Sequence, residues 1–399
     1  MDANNTEPGA SAGFVQQAQL IGVGTPTLYV PRQGSAVALS ADGNTALIGG
    51  PGSVFDVGAT WVFTRTNGVW QQEQVLIGRE VGPFQDTSGA KGINPTWWGN
   101  QGYAVALSAD GNTAFVGGPC DYNNKGMTWL FYRTDGVWRR GERNAGGNPE
   151  DDYEQRAGVS VALSADGTRW FFVAPGERPP GSPPWAQPTV YGFPGAQPGI
   201  ANFYSAATCI ALSGDGNTVI FGVPGTAVYV YAHVDGQNVW TQQAALPGSG
   251  SFGSSVALSA DGNTALIGDP SYNNNNGTVY VFTRSNVSWT MAEQLVGPGA
   301  VGAAQQGASV ALSADGNTVL IGGPGDSYGA PGAAWVLWRG GVRREVNWQK
   351  IAGTGGIGDA QTPIRQGSAV ALSADGMTAL IGGPGDNRNS GATWVFSIG

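Results

Sequence analysis

Apolar residues in this chain come in short runs cut by Gly, Pro, Asn and Asp, with no stretch at helical spacing. One passage shows the pattern. Val256-Ala257-Leu258-Ser259 leads into Asp261-Gly262, and Thr264-Ala265-Leu266-Ile267 follows. Two β-favourable runs hinged on Asp-Gly predict a hairpin, because Gly reaches positive φ without a Cβ clash. A third run, Thr278-Val279-Tyr280-Val281-Phe282, comes after Asp269-Pro270, and a fourth is Ser288-Trp289-Thr290-Met291-Ala292. Four strands joined as a meander form one blade of a β-propeller.

The passage recurs. Ser-Ala-Asp-Gly-Asn or a close variant has its Asp at 42, 110, 166, 215, 261, 315 and 375, at intervals of 46 to 68 residues. Repeats of this size stack on one another rather than fold singly. The expectation is an all-β fold, a seven-bladed propeller of four-stranded antiparallel blades. Residues 1–13 read as a flexible tail and 14–399 as one domain. The last repeat stops at a third strand, Ala392-Thr393-Trp394-Val395-Phe396, whereas Phe14-Val15-Gln16-Gln17-Ala18-Gln19-Leu20 reads as a fourth strand. The N-terminus is therefore expected to complete the last blade and close the ring. The third repeat is irregular: a Pro-rich insertion follows Arg169-Trp170-Phe171-Phe172-Val173, and no Trp-bearing fourth strand precedes the next repeat.

Composition narrows the partners. A formal charge of −9 disfavours nucleic acid or an anionic membrane surface, and no apolar run is long enough to span a bilayer. Two cysteines, Cys120 and Cys209, are too few for a disulfide framework. The start, Met1-Asp2-Ala3-Asn4, shows no signal peptide; a secreted or cell-surface protein, the expected setting, would have lost it.

Ser251-Phe252-Gly253-Ser254-Ser255-Val256-Ala257, followed by Leu266-Ile267-Gly268-Asp269-Pro270, resembles an FG-GAP repeat, the unit of the integrin α-subunit propeller. Other copies carry Gln-Gly, at Gln33, Gln306 and Gln366, in place of Phe-Gly. The resemblance runs from about residue 14 to 399 and implies the propeller fold. Such repeats often bind calcium through alternating oxygen ligands. Here Ala38 and Ser40 precede Asp42, and Ala46 follows, so the calcium site does not carry over. No metal or other cofactor is expected.

Propeller connectivity puts the uniform Asp-Gly turns on one face and the variable loops on the other, where recognition usually sits. Candidate ligand-binding residues on the variable face are Arg32, Trp97, Trp98, Asp121, Tyr122, Tyr153, Glu154, Tyr272, Asp326, Tyr328, Arg365, Asp386 and Arg388. Arg32 and Arg365 hold equivalent places before the innermost strand, where they could clamp an anion or pair with nearby Asp. Most of the 14 tryptophans repeat on third and fourth strands, as structural packing requires. The only histidine, His233, falls near a turn on the uniform face, so no Ser-His-Asp triad or His-based metal site is available. The expected function is non-catalytic recognition of a glycan or an extracellular protein, in a lectin-like or adhesion role. The alternative is a polysaccharide lyase or hydrolase using Asp, Glu, Tyr and Arg at the channel mouth, with oligomeric state open in either case.

Overall fold

A computed structural model describes residues 13–24, 30–52, 57–78, 99–145, 156–175, 190–192, 207–234, 239–340, 345–359 and 361–398. Each repeat begins as an inner hairpin. In the first, Ala36–Leu39 pairs with Thr45–Gly50, then with Ala59–Thr66 and Val69–Leu76 outward. The second, fourth, fifth and sixth repeats follow the same four-strand order. The last sheet combines Ala369–Leu372, Thr378–Gly383 and Ala392–Ile398 with the N-terminal strand Phe14–Leu20, in the register Phe14 to Ile398 and Leu20 to Thr393.

The expected count of seven is corrected to six: among the described residues six blades have the full four strands. The third repeat forms a three-stranded sheet of Ser160–Leu163, Trp170–Val173 and Val190–Gly192. The sequence after it carries Pro194 and Pro198.

The second strands explain why the core lies between sheets rather than within one. Thr45–Gly50, Thr218–Val223, Thr318–Gly323 and Thr378–Gly383 are buried along their whole length, because both faces are covered by neighbours. One cluster joins Leu320, Val336 and Ile351 of the sixth repeat to Val370, Ile381, Trp394 and Phe396 of the seventh and to Phe14. Third-strand tryptophans pin the seams of the first, second, sixth and seventh repeats. Trp61, Trp335 and Trp394 are fully buried and donate their indole N–H to Val23, Pro298 and Thr354 carbonyls. Their rings lie against Gly22, Gly297 and Gly353, where any Cβ would strike the indole.

The Asp-Gly turns are wired rather than merely turned. Ser40 Oγ donates to Asp42 Oδ1 at 2.6 Å, Asn44 N donates to the same oxygen at 3.0 Å, and Asn44 Nδ2 donates to Oδ2. The Asn side chain then accepts from an arginine at the end of the third strand: Arg65, Arg133 and Arg284 bond Asn44, Asn112 and Asn263 at 2.8–2.9 Å. Those guanidiniums sit 5.4–5.5 Å over Trp70, Trp138 and Trp289. They also reach across the seam to Thr378, Thr45 and Thr218.

Main-chain bonds lace the same hairpins into a belt. Ala41 N donates to Ala109 O, Ala109 to Ala165, Ala165 to Gly214, Gly214 to Ala260, Ala260 to Ala314, Ala314 to Ala374, and Ala374 back to Ala41, all at 2.8–3.0 Å. The uniform face is therefore the closed, rigid end of the ring.

These turns predict acid lability. At Asp42, Asp110, Asp215, Asp261 and Asp315 partial burial pushes the carboxyl up, but the serine hydroxyl, the following amide and the Asn side chain outweigh it and hold it below 3.8. At Asp166 the Ser164 hydroxyl is the leading cause, and the shift is again downward. A carboxylate with a lowered folded pKa contributes stability that is present above its unfolded value of 3.8 and is lost as pH falls through the folded values. Urea midpoints measured from pH 7 to pH 3 are expected to hold above about pH 4.5 and drop steeply below 3.8. A flat profile would remove the hairpin carboxylates from the stability account.

Candidate functional site in the loop-face cleft

The opposite face is built from the loops after the second strands and the approaches to the inner strands. Isolated parallel bridges join them across seams: Gly58 with Gln101, Gly126 with Ala157, Gly277 with Gln306, Gly332 with Gln366 and Gln33 with Gly391. The residue before the bridge is held at positive φ in most repeats: Arg32 at 54°, Asn100 at 50°, Arg156 at 53°, Gln305 at 57° and Arg365 at 61°.

The glutamines at these bridges are buried clamps, a role that the sequence reading missed. Gln33, Gln101, Gln306 and Gln366 are at most 3 % exposed. Gln306 accepts Gly297 N at 2.6 Å and donates to Gly297 O at 2.9 Å; Gln366 does the same with Gly353, and Gln33 with Gly22. In the fifth repeat Phe252 replaces the amide. It is buried beside Gly248, whose N–H turns instead to Thr226 O.

Three loops make a single tight turn with left-handed residues: Asn273, Asn274 and Asn275; Ser327 and Tyr328; Asn387, Arg388 and Asn389. Asn tolerates this region because its short amide bonds locally; Tyr and Arg are held there against their preference. Buried aspartates supply the hold. Asp326 (1 % exposed) accepts Val301 N at 2.8 Å and the Lys350 ammonium at 2.7 Å, while Lys350 lies over the Trp335 ring. Asp386 (2 % exposed) accepts Ile357 N at 2.6 Å. Burial pushes the Asp386 carboxyl up from its ordinary value, against the lowering effect of the Ile357 and Asn387 amides. Its contribution is thus present below its unfolded pKa and fades as pH rises through the folded value, opposite in sign to that of the hairpin aspartates.

The candidate residues accordingly separate. Asp326 and Asp386 stitch loops from below, and Asp121 is buried at the start of its turn. Tyr272 (43 %) and Tyr328 (80 %) are exposed, as are Arg32, Arg365 and Arg388. Arg32 donates its backbone N–H to Asn389 O, which puts it on the seam beside the Arg388 turn. The side chain of Tyr122 and the whole of Trp97, Trp98, Tyr153 and Glu154 lie outside the described residues, as do positions 1–12 of the expected tail.

Tyr328 and Arg365 come together. With Ala303, Gln305, Pro324, Gly325, Pro363 and Ser368 they line a cleft of about 410 Å³ between the sixth and seventh repeats. Arg365 is fixed at its backbone: Ser368 Oγ donates to its carbonyl at 2.8 Å, and Gln366 N donates to Pro331 O at 2.7 Å. Its guanidinium makes no ion pair among the described residues, and no carboxylate lines the cleft. Aromatic face, cation and backbone groups suit it to holding a polar ligand rather than to proton transfer between carboxylates.

The chemistry of the hairpins does not fit calcium, since donors already surround both oxygens of the Asp42 carboxylate. Among the described residues no three His, Cys, Asp or Glu side chains converge as a metal site, and no helix is long and apolar enough to cross a membrane. Cys209 stands where Ser255 and Ser309 stand in other repeats; like them it donates to a carbonyl across the seam, that of Gly253, and burial pushes its thiol up to about 12. His233 lies against Trp240 at 5.4 Å, away from the cleft.

The chain is a β-propeller. Among solved structures it is similar to the β-propeller domain of Cps50 (Swd1) from Myceliophteria thermophila, with a TM-score of 0.57 over 96 % of this chain and 100 % of that one, at 11 % identity. That likeness carries the fold alone. No family model matches the chain, so the FG-GAP resemblance rests on its motifs, and no curated protein matches it.

Proposed function

We propose that the protein is a non-catalytic recognition module that binds a glycan on its loop face, in the cleft between the sixth and seventh repeats. The observation that carries this reading is Tyr328, 80 % exposed in a cleft lined by an arginine with no ion pair among the described residues and by no carboxylate. An exposed ring beside hydrogen-bonding groups suits a sugar, whose apolar face stacks and whose hydroxyls bond. A glycan ligand goes with action outside the cytoplasm, and a protein ligand would use the same face. A hydrolase would need two converging carboxylates; Asp326 and Asp386 are buried and committed to Lys350, Val301 and Ile357. The Tyr328–Arg365 pair is the feature that a lyase would use, and turnover of a bound acidic glycan would replace the non-catalytic reading.

A glycan array screened with the whole chain is expected to return binders. Tyr328→Asn, which suits the left-handed backbone, should weaken them about five- to tenfold through lost stacking. An array without binders would sink the glycan reading, and capture of a protein ligand displaced by the same substitution would replace it.

A further inference from the structure

We propose that the ligand of this cleft bears a carboxylate, as a hexuronate-containing oligosaccharide does, and that Arg365 is its charge partner; this deepens the glycan reading and rests on it. The argument begins with charge. The chain carries −9 overall, yet the cleft is lined by one cation and no anion. Lys350, behind the Tyr328 loop, is neutralised by buried Asp326 and occupied with the Gly299 carbonyl and the Trp335 ring. Arg365 has no ion-pair partner among the described residues, and a planar guanidinium matches a carboxylate with two parallel hydrogen bonds.

Position is the second argument. Arg365 stands at φ 61°, a region costly for arginine, and the structure holds it there from both sides. The adjacent Gln366 is locked into Gly353 by two side-chain bonds and to Pro331 through its amide, and Ser368 closes on the Arg365 carbonyl. A backbone so fixed need not be ordered when the side chain meets a ligand, which removes one cost of binding. Gln305, across the cleft, stands in the same left-handed conformation at φ 57°, and Tyr328 at 61°. Three non-glycine residues in this conformation thus converge on one cleft. Its volume, near the lower end of the roughly 300–1,000 Å³ usual for ligand sites, suits a short stretch of sugar rather than a folded surface.

The test uses calorimetric titration of the intact protein with oligogalacturonate, oligomannuronate and oligoglucuronate, each beside its carboxyl-reduced neutral counterpart. At least one acidic form is expected to bind about ten- to a hundredfold tighter than its neutral counterpart, the range that a charge-assisted pair supplies. Arg365→Asn, which keeps the left-handed backbone, should erase that difference without shifting the melting temperature. Arg365→Lys should retain part of it, and Tyr328→Asn should weaken acidic and neutral forms alike. Equal affinity for acidic and neutral sugars overturns the carboxylate assignment and leaves glycan recognition standing. Affinity for none of the acidic sugars, with neutral binders on the array, has the same consequence. Binding of an Asp- and Glu-rich peptide, with no sugar bound at all, overturns both readings.

Discussion

Gln306→Leu is expected to lower the free energy of unfolding by about 3 kcal/mol, because it strips partners from a buried N–H and a buried C=O at once. Leucine nearly matches the volume of the amide, so packing changes little. What is lost is the pair of bonds at 2.6 and 2.9 Å that ties Gly297 to the approach of the sixth inner strand. Water cannot step in, since Gln306 is fully buried. Nor should Gln306→Phe rescue the site: in the fifth repeat Phe252 coexists with a loop whose Gly248 N–H has found Thr226 O instead. Urea denaturation gives the difference directly, and a loss below about 1 kcal/mol would show that the clamp contributes little.

Removing residues through Leu20 is expected to have the larger effect, about 5 kcal/mol or more. Phe14 and Leu20 are 3 % and 4 % exposed, and burying such side chains contributes about 1.5–3 kcal/mol each. The Gln349 amide grips both the N–H and the C=O of Phe14, so its own partners vanish with the strand. The outer edge of Ala392–Ile398 would then stand open, an invitation to pair with another chain. The shortened protein should unfold at lower urea and elute as oligomers in size-exclusion chromatography, and a synthetic peptide spanning residues 13–24 should reverse both changes. An unchanged midpoint would mean that the last blade stands on three strands.

The repeat pattern made the hairpins, the seam tryptophans and the N-terminal strand readable, because each depends on local turn chemistry or on apolar positions recurring at fixed places. The irregularity of the third repeat was readable too, in its Pro-rich insertion and missing Trp-bearing fourth strand; the expected count of seven full blades nevertheless followed the repeat pattern, which predicts the average unit. The direction in which the loop residues turn was not readable, for another reason. Asp326, Asp386 and Arg365 all follow or precede a Gly-Pro or Gln-Gly mark in variable sequence, yet the two acids point inward to backbone amides and the arginine outward. Which way a side chain turns from a left-handed loop is settled by the neighbouring repeat, and that neighbour lies tens of residues away in sequence. The glutamine clamp did leave a signal: the same residue recurs before Gly and gives way to Phe where the paired loop differs.

The belt through Ala41, Ala109, Ala165, Gly214, Ala260, Ala314 and Ala374 bears on how such a protein can evolve. Each amide in it is matched to the carbonyl of the next repeat, and the last is matched to the first. Losing or duplicating a repeat would force every remaining hairpin to a new angle before the circle could shut again. A gene built from tandem copies is prone to such slippage, and this circle selects against it at the level of the folded chain. Divergence is then free to accumulate in the loops on the far side, one copy at a time.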